Sequence, residues 1–297
     1  MDTISFQFVE QIAAQLRSVA ELGNFEGQWN LAATEQLERR CEFHLELCAG
    51  SRDPTVWRYC FYNQKCENYS MDFVRQMDQR YVRVVGIAIR TWPGSQSMYF
   101  NIEHSCGESD AISTLFPLVT RFMQHTELHF DCSRLPTLYN LTGRFCTYLS
   151  TCYRFEAINI YYQGDQSREF FQKQLRNGYV DKARLIGHWT DADLRFALTN
   201  IDKLEHLEIS MAKGIIDEEW LEDLISRWKH GQFAGKHLYI GTNFNEASVE
   251  NVMRHMEHKK QRSLYVMVNS ENEEFSIDLL YGYICIPNPD NDVYFAI

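Results

Sequence analysis

The chain is poor in the residues that build linkers, with 15 glycines and 6 prolines in 297 positions. It has little material for a flexible spacer or a low-complexity arm. A basic surplus is missing too: 29 Lys and Arg stand against 40 Asp and Glu, a formal charge of −11. Such a chain repels phosphate backbones, which argues against sequence-independent nucleic-acid binding. No window holds the roughly 18 uncharged apolar residues of a membrane-spanning helix. The opening MDTISFQFVEQIAAQL has an acidic residue at position 2 and Glu10 inside its apolar run, unlike a secretory signal. These absences predict an intracellular protein, cytoplasmic or nuclear, with no membrane and no nucleic acid among its partners.

Cysteine occurs nine times, an odd number, and never as C-x-x-C. Without a signal segment, the thiols are expected to be reduced and mostly buried. The run CEFHLELC brings Cys41, His44 and Cys48 together ahead of Cys60 and Cys66, residue types that bind zinc. The thiol spacing suits no compact knuckle, however, and the alternation of Phe43, Leu45 and Leu47 explains the run as a half-buried strand. No metal or cofactor is expected. Nucleophile-elbow, zincin, kinase and deaminase patterns are all absent. His129 with Asp131, or His188 near Asp191 and Asp193, can be drawn as a base and its orienting carboxylate. Those pairs keep an α/β hydrolase or transferase as the third functional reading, behind two non-enzymatic ones.

What the chain does have is apolar and aromatic substance: 45% hydrophobic residues, including 19 Phe, 16 Tyr and 6 Trp. Short runs with apolar residues at i and i+2 recur along it: MYFNI, LHFD, INIYY, ARLIGHW, LEIS, LYIGTN and LYVMVN. Their anchors, Phe100, Leu128, Ile158, Leu185, Leu207, Leu238 and Leu264, are separated by 28, 30, 27, 22, 31 and 26 residues. That range is typical of a leucine-rich repeat or a close relative. Helical stripes fill the intervals, among them AISTLFPLVTRFMQ, PTLYNLTGRFCTYL and NEASVENVMRHMEH. The clearest is DEEWLEDLISRWKHG, where Asp217 caps, Trp220, Leu221, Leu224, Ile225 and Trp228 share one face, and Gly231 ends the segment. Strands separated by helices must be parallel. Their polar-apolar alternation leaves one face wet, so the expected fold is an irregular leucine-rich-repeat-like α/β solenoid with helices on one side. YVRVVGIAI and SMYFNI are expected to form a hairpin before it.

In that fold, Leu207 and Ile209 point inward while Glu208 and Ser210 point out. The same register gives an outward set for partner binding: His129, Asn159, Tyr161, His188, Glu208, Tyr239 and Tyr265. Asn101, Glu103, Ile186 and Met267 extend the two columns. Tyrosine supplies large contact area and a hydroxyl at low entropic cost. At the other end, residues 4–22 place Phe8, Val9, Ile12 and Leu16 on a helical stripe, and GQWNLAATEQLERR carries Trp29. These helices are expected either to cap the solenoid or to dock a partner, giving domains at residues 1–47 and 48–297.

Three features together, ISFQFVEQIAAQL, Trp29 in the next helix and EEWLEDLISRWKHGQFAGKHLYI, resemble the nematode F-box and F-box-associated proteins. In that family a helix of the form L-x-x-F/I-L-x-x-W-x-x-G precedes a Leu-rich strand. Leu221, Leu224, Ile225, Trp228 and Gly231 match the helix, and Leu238 and Ile240 match the strand. The chain has Ile4-Ser5 where the usual F-box opens with Leu-Pro. The resemblance implies a substrate-recognition adaptor of a cullin-RING ubiquitin ligase. Phe8, Val9, Ile12, Leu16 and Trp29 would meet a Skp-type linker, and the C-terminal domain would hold a target. The second reading keeps the architecture without the ligase, as a scaffold or inhibitor.

Overall fold

The computed structural model describes residues 5–49, 53, 56–91, 104–131, 139–152, 155–177, 179–210, 215–241, 243–244, 246–269, 273–279 and 282–287. The chain forms two compact units, Met1–Glu156 and Ala157–Ile297. The boundary expected at residue 47 falls inside a strand of the first unit.

The first unit contains α1 (Phe6–Gln15), α2 (Gln28–Arg39), β1 (Cys41–Ala49), β2 (Val56–Tyr62), β3 (Asn68–Tyr69), α3 (Met71–Gln76), β4 (Val82–Thr91), β5 (His104–Gly107), α4 (Glu108–Asp110), α5 (Phe116–Phe122), β6 (Met123–Asp131) and α6 (Tyr139–Leu149). Ser5 starts α1 by accepting the Phe8 N–H on its hydroxyl, satisfying one of the donors a helix start leaves orphaned. Val9, Ala13, Val19, Ala32 and Ala33 form the contact of α1 with α2, and Phe6, Leu22 and Trp29 pack against it. Small side chains let the two helices approach closely. The pair is tied to the start of β4: Tyr81 Oη donates to Glu10 and Glu35, and Arg80 pairs with Glu10 at 3.1 Å.

The strands of this unit run in the order β6, β4, β1, β2, with β3 and β5 sharing the far edge of β2. The β1–β4 and β4–β6 pairs are parallel and β1–β2 is antiparallel. Both edges of β4 are thus taken by parallel neighbours, which displaces the hairpin expected for it. Phe100, Asn101 and Glu103 lie outside the described residues, as do Pro136 and Asn245. The helix expected over 111–124 is a π turn, Ala111–Leu115, followed by α5. It stops at Phe122 because Met123 already pairs with Val84 in β4.

The division between the units falls within β7 (Phe155–Tyr161). The second unit continues with α7 (Asp165–Asn177), β8 (Lys182–Ile186), α8 (Asp191–Thr199), β9 (His206–Ser210), β10 (Ile215–Ile216), α9 (Glu218–Lys229), β11 (His237–Gly241), β12 (Asn243–Phe244), α10 (Glu246–Met253), β13 (Lys259–Gln261), β14 (Leu264–Val268), β15 (Glu274–Asp278) and β16 (Tyr283–Ile286). β7, β8, β9 and β11 are parallel neighbours with a helix in each connection. This is the strand-helix alternation the anchors predict. In α9, Asp217 accepts the Trp220 N–H at 2.8 Å, Gly231 adopts φ +73°, and all five residues of the expected stripe are buried. Each such side chain contributes on the order of 1.5–3 kcal/mol by leaving water.

The Leu264 strand departs from the expected array. β13 to β16 form an antiparallel meander, and β16, not β14, lies beside β11. The 26-residue step from Leu238 to Leu264 imitates the earlier spacing, and period-two alternation is the same in parallel and antiparallel strands. Tyr265 therefore falls in the covered row: it is opposite Ile277, which pairs with Ile284, which pairs with Ile240. It is 2% exposed, as is Met267. Trp228 of α9 packs on Phe275 of β15, on that same covered face.

Candidate functional site

The described residues contain no group of three or more His, Cys, Asp and Glu side chains able to hold a metal. No described helix is long and apolar enough to cross a membrane. The remaining candidate surfaces are the less covered sheet face of the second unit and the N-terminal helix pair of the first.

The alternation of β7, β8, β9 and β11 divides their side chains cleanly. Ile158, Ala183, Leu207 and Leu238 form one buried row, and Ile160, Leu185, Ile209 and Ile240 form the next. On the opposite face, Asn159, Arg184, Glu208, Tyr239 and Cys285 lie in one continuous row across five strands, all half-buried. Three of these, Asn159, Glu208 and Tyr239, are among the residues predicted for partner binding, and Tyr161 stands on the next rung of the same face. The register sets Ala183, not Leu185, opposite Ile158 and Leu207. The expected β8 anchor was displaced by two residues. A two-residue slip keeps the face but changes the neighbours, so Arg184 takes the place assigned to Ile186.

His188 does not belong to this face. β8 ends at Ile186, Gly187 turns with φ +95°, and Trp189 Nε1 donates to the Ile186 carbonyl at 3.1 Å. His188 is exposed beyond the strand end. Tyr265 is buried, as described above. His129 belongs to the first unit, on β6 beside Ala88, with its Nε2 3.6 Å from Glu127.

The polar row is held by its own contacts. Arg184 pairs with Glu208 at 2.9 Å, and Ser210 Oγ donates to Glu208 at 2.9 Å. Next to Glu208 in the register, Tyr239 stacks on Tyr283 with centroids 5.4 Å apart. Burial raises the Tyr239 pKa, and Glu208 and Cys285 add to the rise, so the hydroxyl stays protonated and able to donate. At the N-terminal end of the strands, His206 and His237 stack with centroids 4.4 Å apart. Burial pushes the His206 pKa down to about 4, with His237, Lys182 and Arg184 repelling its charged form. Burial also lowers His237, opposed by Glu208. Both rings are neutral at pH 7. The face thus offers tyrosine rings, neutral imidazoles and one ion pair, a mixture suited to protein contact.

Of the carboxylates drawn beside His188, Asp191 pairs with Arg195 at 2.9 Å. Asp193 is 1% exposed and occupied: it completes a capping box with Thr190 and pairs with the Arg168 Nε at 2.8 Å. His129 Nε2 lies 3.6 Å from Glu127.

The N-terminal set separates by exposure. Val9 is fully buried and Trp29 packs on the helix contact, while Ile12 is half-buried. Phe8 is 52% exposed and Leu16 37%. Sequence periodicity missed Phe25 and Leu31, at 57% and 53% exposure, and set Leu37 with Trp29, Ala32 and Ala33 in one helical pattern, although it is 62% exposed. These five account for most of the large hydrophobic side chains exposed among the described residues, and all lie within residues 8–37. Leu31 and Leu37 lie off the buried Ala32–Ala33–Gln36 stripe, which corrects the grouping of Leu37 with Ala32 and Ala33. No known family model matches the chain, and no curated protein matches it.

Proposed function

We propose that the protein is a non-enzymatic interaction adaptor, holding a protein partner on the polar face of β7, β8, β9 and β11. The observation that carries this reading is the row Asn159, Arg184, Glu208, Tyr239. Every member is half-buried by its neighbours yet lies opposite the rows that form the core. The irregular leucine-rich-repeat-like reading of this part of the chain rests on the four parallel strands with a helix in each connection.

The linker-binding part of the reading rests on Phe8, Leu16, Phe25, Leu31 and Leu37. Five exposed large apolar side chains, three on α1 and α2 and two, Leu16 and Phe25, in the connection between them, exceed what a cap requires, because a cap turns its polar face to water. In this reading they meet a Skp-type linker of a cullin-RING ligase, and the sheet face meets the target. The test uses purified linker and the full chain with Leu31→Glu and Leu37→Glu, substitutions at sites open to water. Binding by wild type that falls at least tenfold in the double variant supports the adaptor. Absence of binding by wild type removes the ligase part and leaves the scaffold or inhibitor reading of the sheet face.

A further inference from the structure

The parallel ladder of the first unit breaks at one place. β4 carries an additional residue, Val85, between its pairings with Phe43 and His44 of β1. Opposite the same residue, β6 accommodates Gln124, His125 and Thr126 between its pairings with Val84 and Gly86. His125 adopts φ +49°, an uncommon left-handed conformation for a residue with a side chain. The His44 ring crosses Gly86 so closely that a Cβ there would sit 2.2 Å from Nδ1. Irregularities of this kind re-aim side chains and recur beside functional sites. Here they border a cavity of about 310 Å³ whose lining includes Arg17, Arg40, Arg83, His44 and His125 together with the acids Glu42 and Glu127, a volume at the small end for ligand pockets.

Counting Glu156 beside Arg17, the charges of this cavity balance in number but are not all paired off side chain to side chain. Arg83 is 5% exposed; Nη1 donates to the Val82 carbonyl at 2.6 Å, Nη2 donates to the Ala14 carbonyl, and Nε is buried without a partner. Arg40 donates to Gln36 Oε1 and to the carbonyls of Ala13 and Arg17. Neither guanidinium has a carboxylate at ion-pair distance among the described residues. Of the nearby acids, Glu156 pairs with Arg17 and His125, Glu127 lies 3.6 Å from His129, and Glu42 accepts from Gln64 while its charge acts on Arg40 and Arg83 from a distance. Burial and then the neighbouring Arg40 pull Arg83 down to about 10, with Glu42 opposing. An arginine hydrogen-bonded only to neutral carbonyls in a buried site carries a desolvation cost that a carboxylate beyond ion-pair distance compensates only in part, and a bound anion would offset the rest.

We infer that this cavity binds a small oxyanion, a phosphate or carboxylate group, between Arg83 and Arg40. The planar guanidinium fork matches the oxygens of either group. The site lies within the first unit and does not rest on the adaptor reading, although Leu16, one of the residues assigned to the linker, is among its lining residues.

Calorimetric titration of the full chain tests this, using inorganic phosphate and succinate in separate arms, with chloride at matched ionic strength as the control. Saturable one-site binding of either anion is expected, and the arm that responds assigns the class. Arg83→Met, which removes the charge and keeps the bulk, is expected to weaken binding at least tenfold. Arg40→Gln, at the partly open edge, is expected to do the same and decides the matter if the first variant does not fold. Arg254→Gln, at an exposed position just after α10 in the second unit, leaves binding unchanged. No saturable binding in either arm, or wild-type affinity in Arg40→Gln, overturns the inference.

Discussion

The two units solve the same problem, burying one face of a sheet, by different means. In Ala157–Ile297 the parallel ladder runs without a break through β7, β8, β9 and β11. Apolar residues there recur at every second position, and stability rests on repetition. In Met1–Glu156 the ladder is interrupted at Val85 and His125, and stability rests on particular side-chain contacts such as those of Glu10 and Tyr81. A regular region can present an extended surface, whereas an irregular one can shape a pocket.

The comparison breaks most sharply at α9. Trp228→Ala removes a side chain buried on Phe275 and is expected to cost about 3–5 kcal/mol, measured by urea denaturation. A loss below 1 kcal/mol would show that α9 does not hold the covered face. In the first unit, Gly86→Ala pushes a Cβ into the His44 ring and should cost about 1–3 kcal/mol through overpacking. His44→Ala in the same chain should recover most of that loss, and equal losses in both backgrounds would contradict the close approach. Asp217→Ala, which removes the cap of α9, is expected to cost about 1 kcal/mol.

The stacked histidines give a pH signature to the second unit. His206 has a folded pKa of about 4, below its ordinary 6.5, so between those values the unfolded chain binds more protons than the folded one. The stability this group contributes is complete above pH 6.5, is lost as pH falls toward 4, and then levels off. Its share is roughly 1 kcal/mol, less than full linkage gives because the ring keeps some access to water. His206→Gln should flatten the slope of thermal stability across that window, and an unchanged slope would assign it to other groups.

Legibility in the sequence follows the same division. The cap, stripe and terminating glycine of α9 are local signals, and the helix forms where they place it. The alternation in INIYY, LEIS and LYIG reveals which side chains share a face, because the two-residue period survives packing. Register does not, since unequal connections let Leu185 stand in for Ala183. Strand direction is also lost, so the Leu264 strand resembled one more parallel rung and Tyr265 was expected outside. The cavity of the first unit left two faint marks, Arg83 and Gly86 within the apolar run YVRVVGIAI. A charge and a glycine inside a strand indicate a bulge or a close approach, but the ladder partners that turn them into a pocket are distant in sequence.

Hydrogen–deuterium exchange of the full chain with purified Skp-type linker tests the adaptor claim most directly. The account predicts protection concentrated in residues 6–39, with β7, β8, β9 and β11 left unchanged and so available for a second partner. Binding without protection of α1 and α2, or protection centred on Asn159, Glu208 and Tyr239 instead, would contradict it.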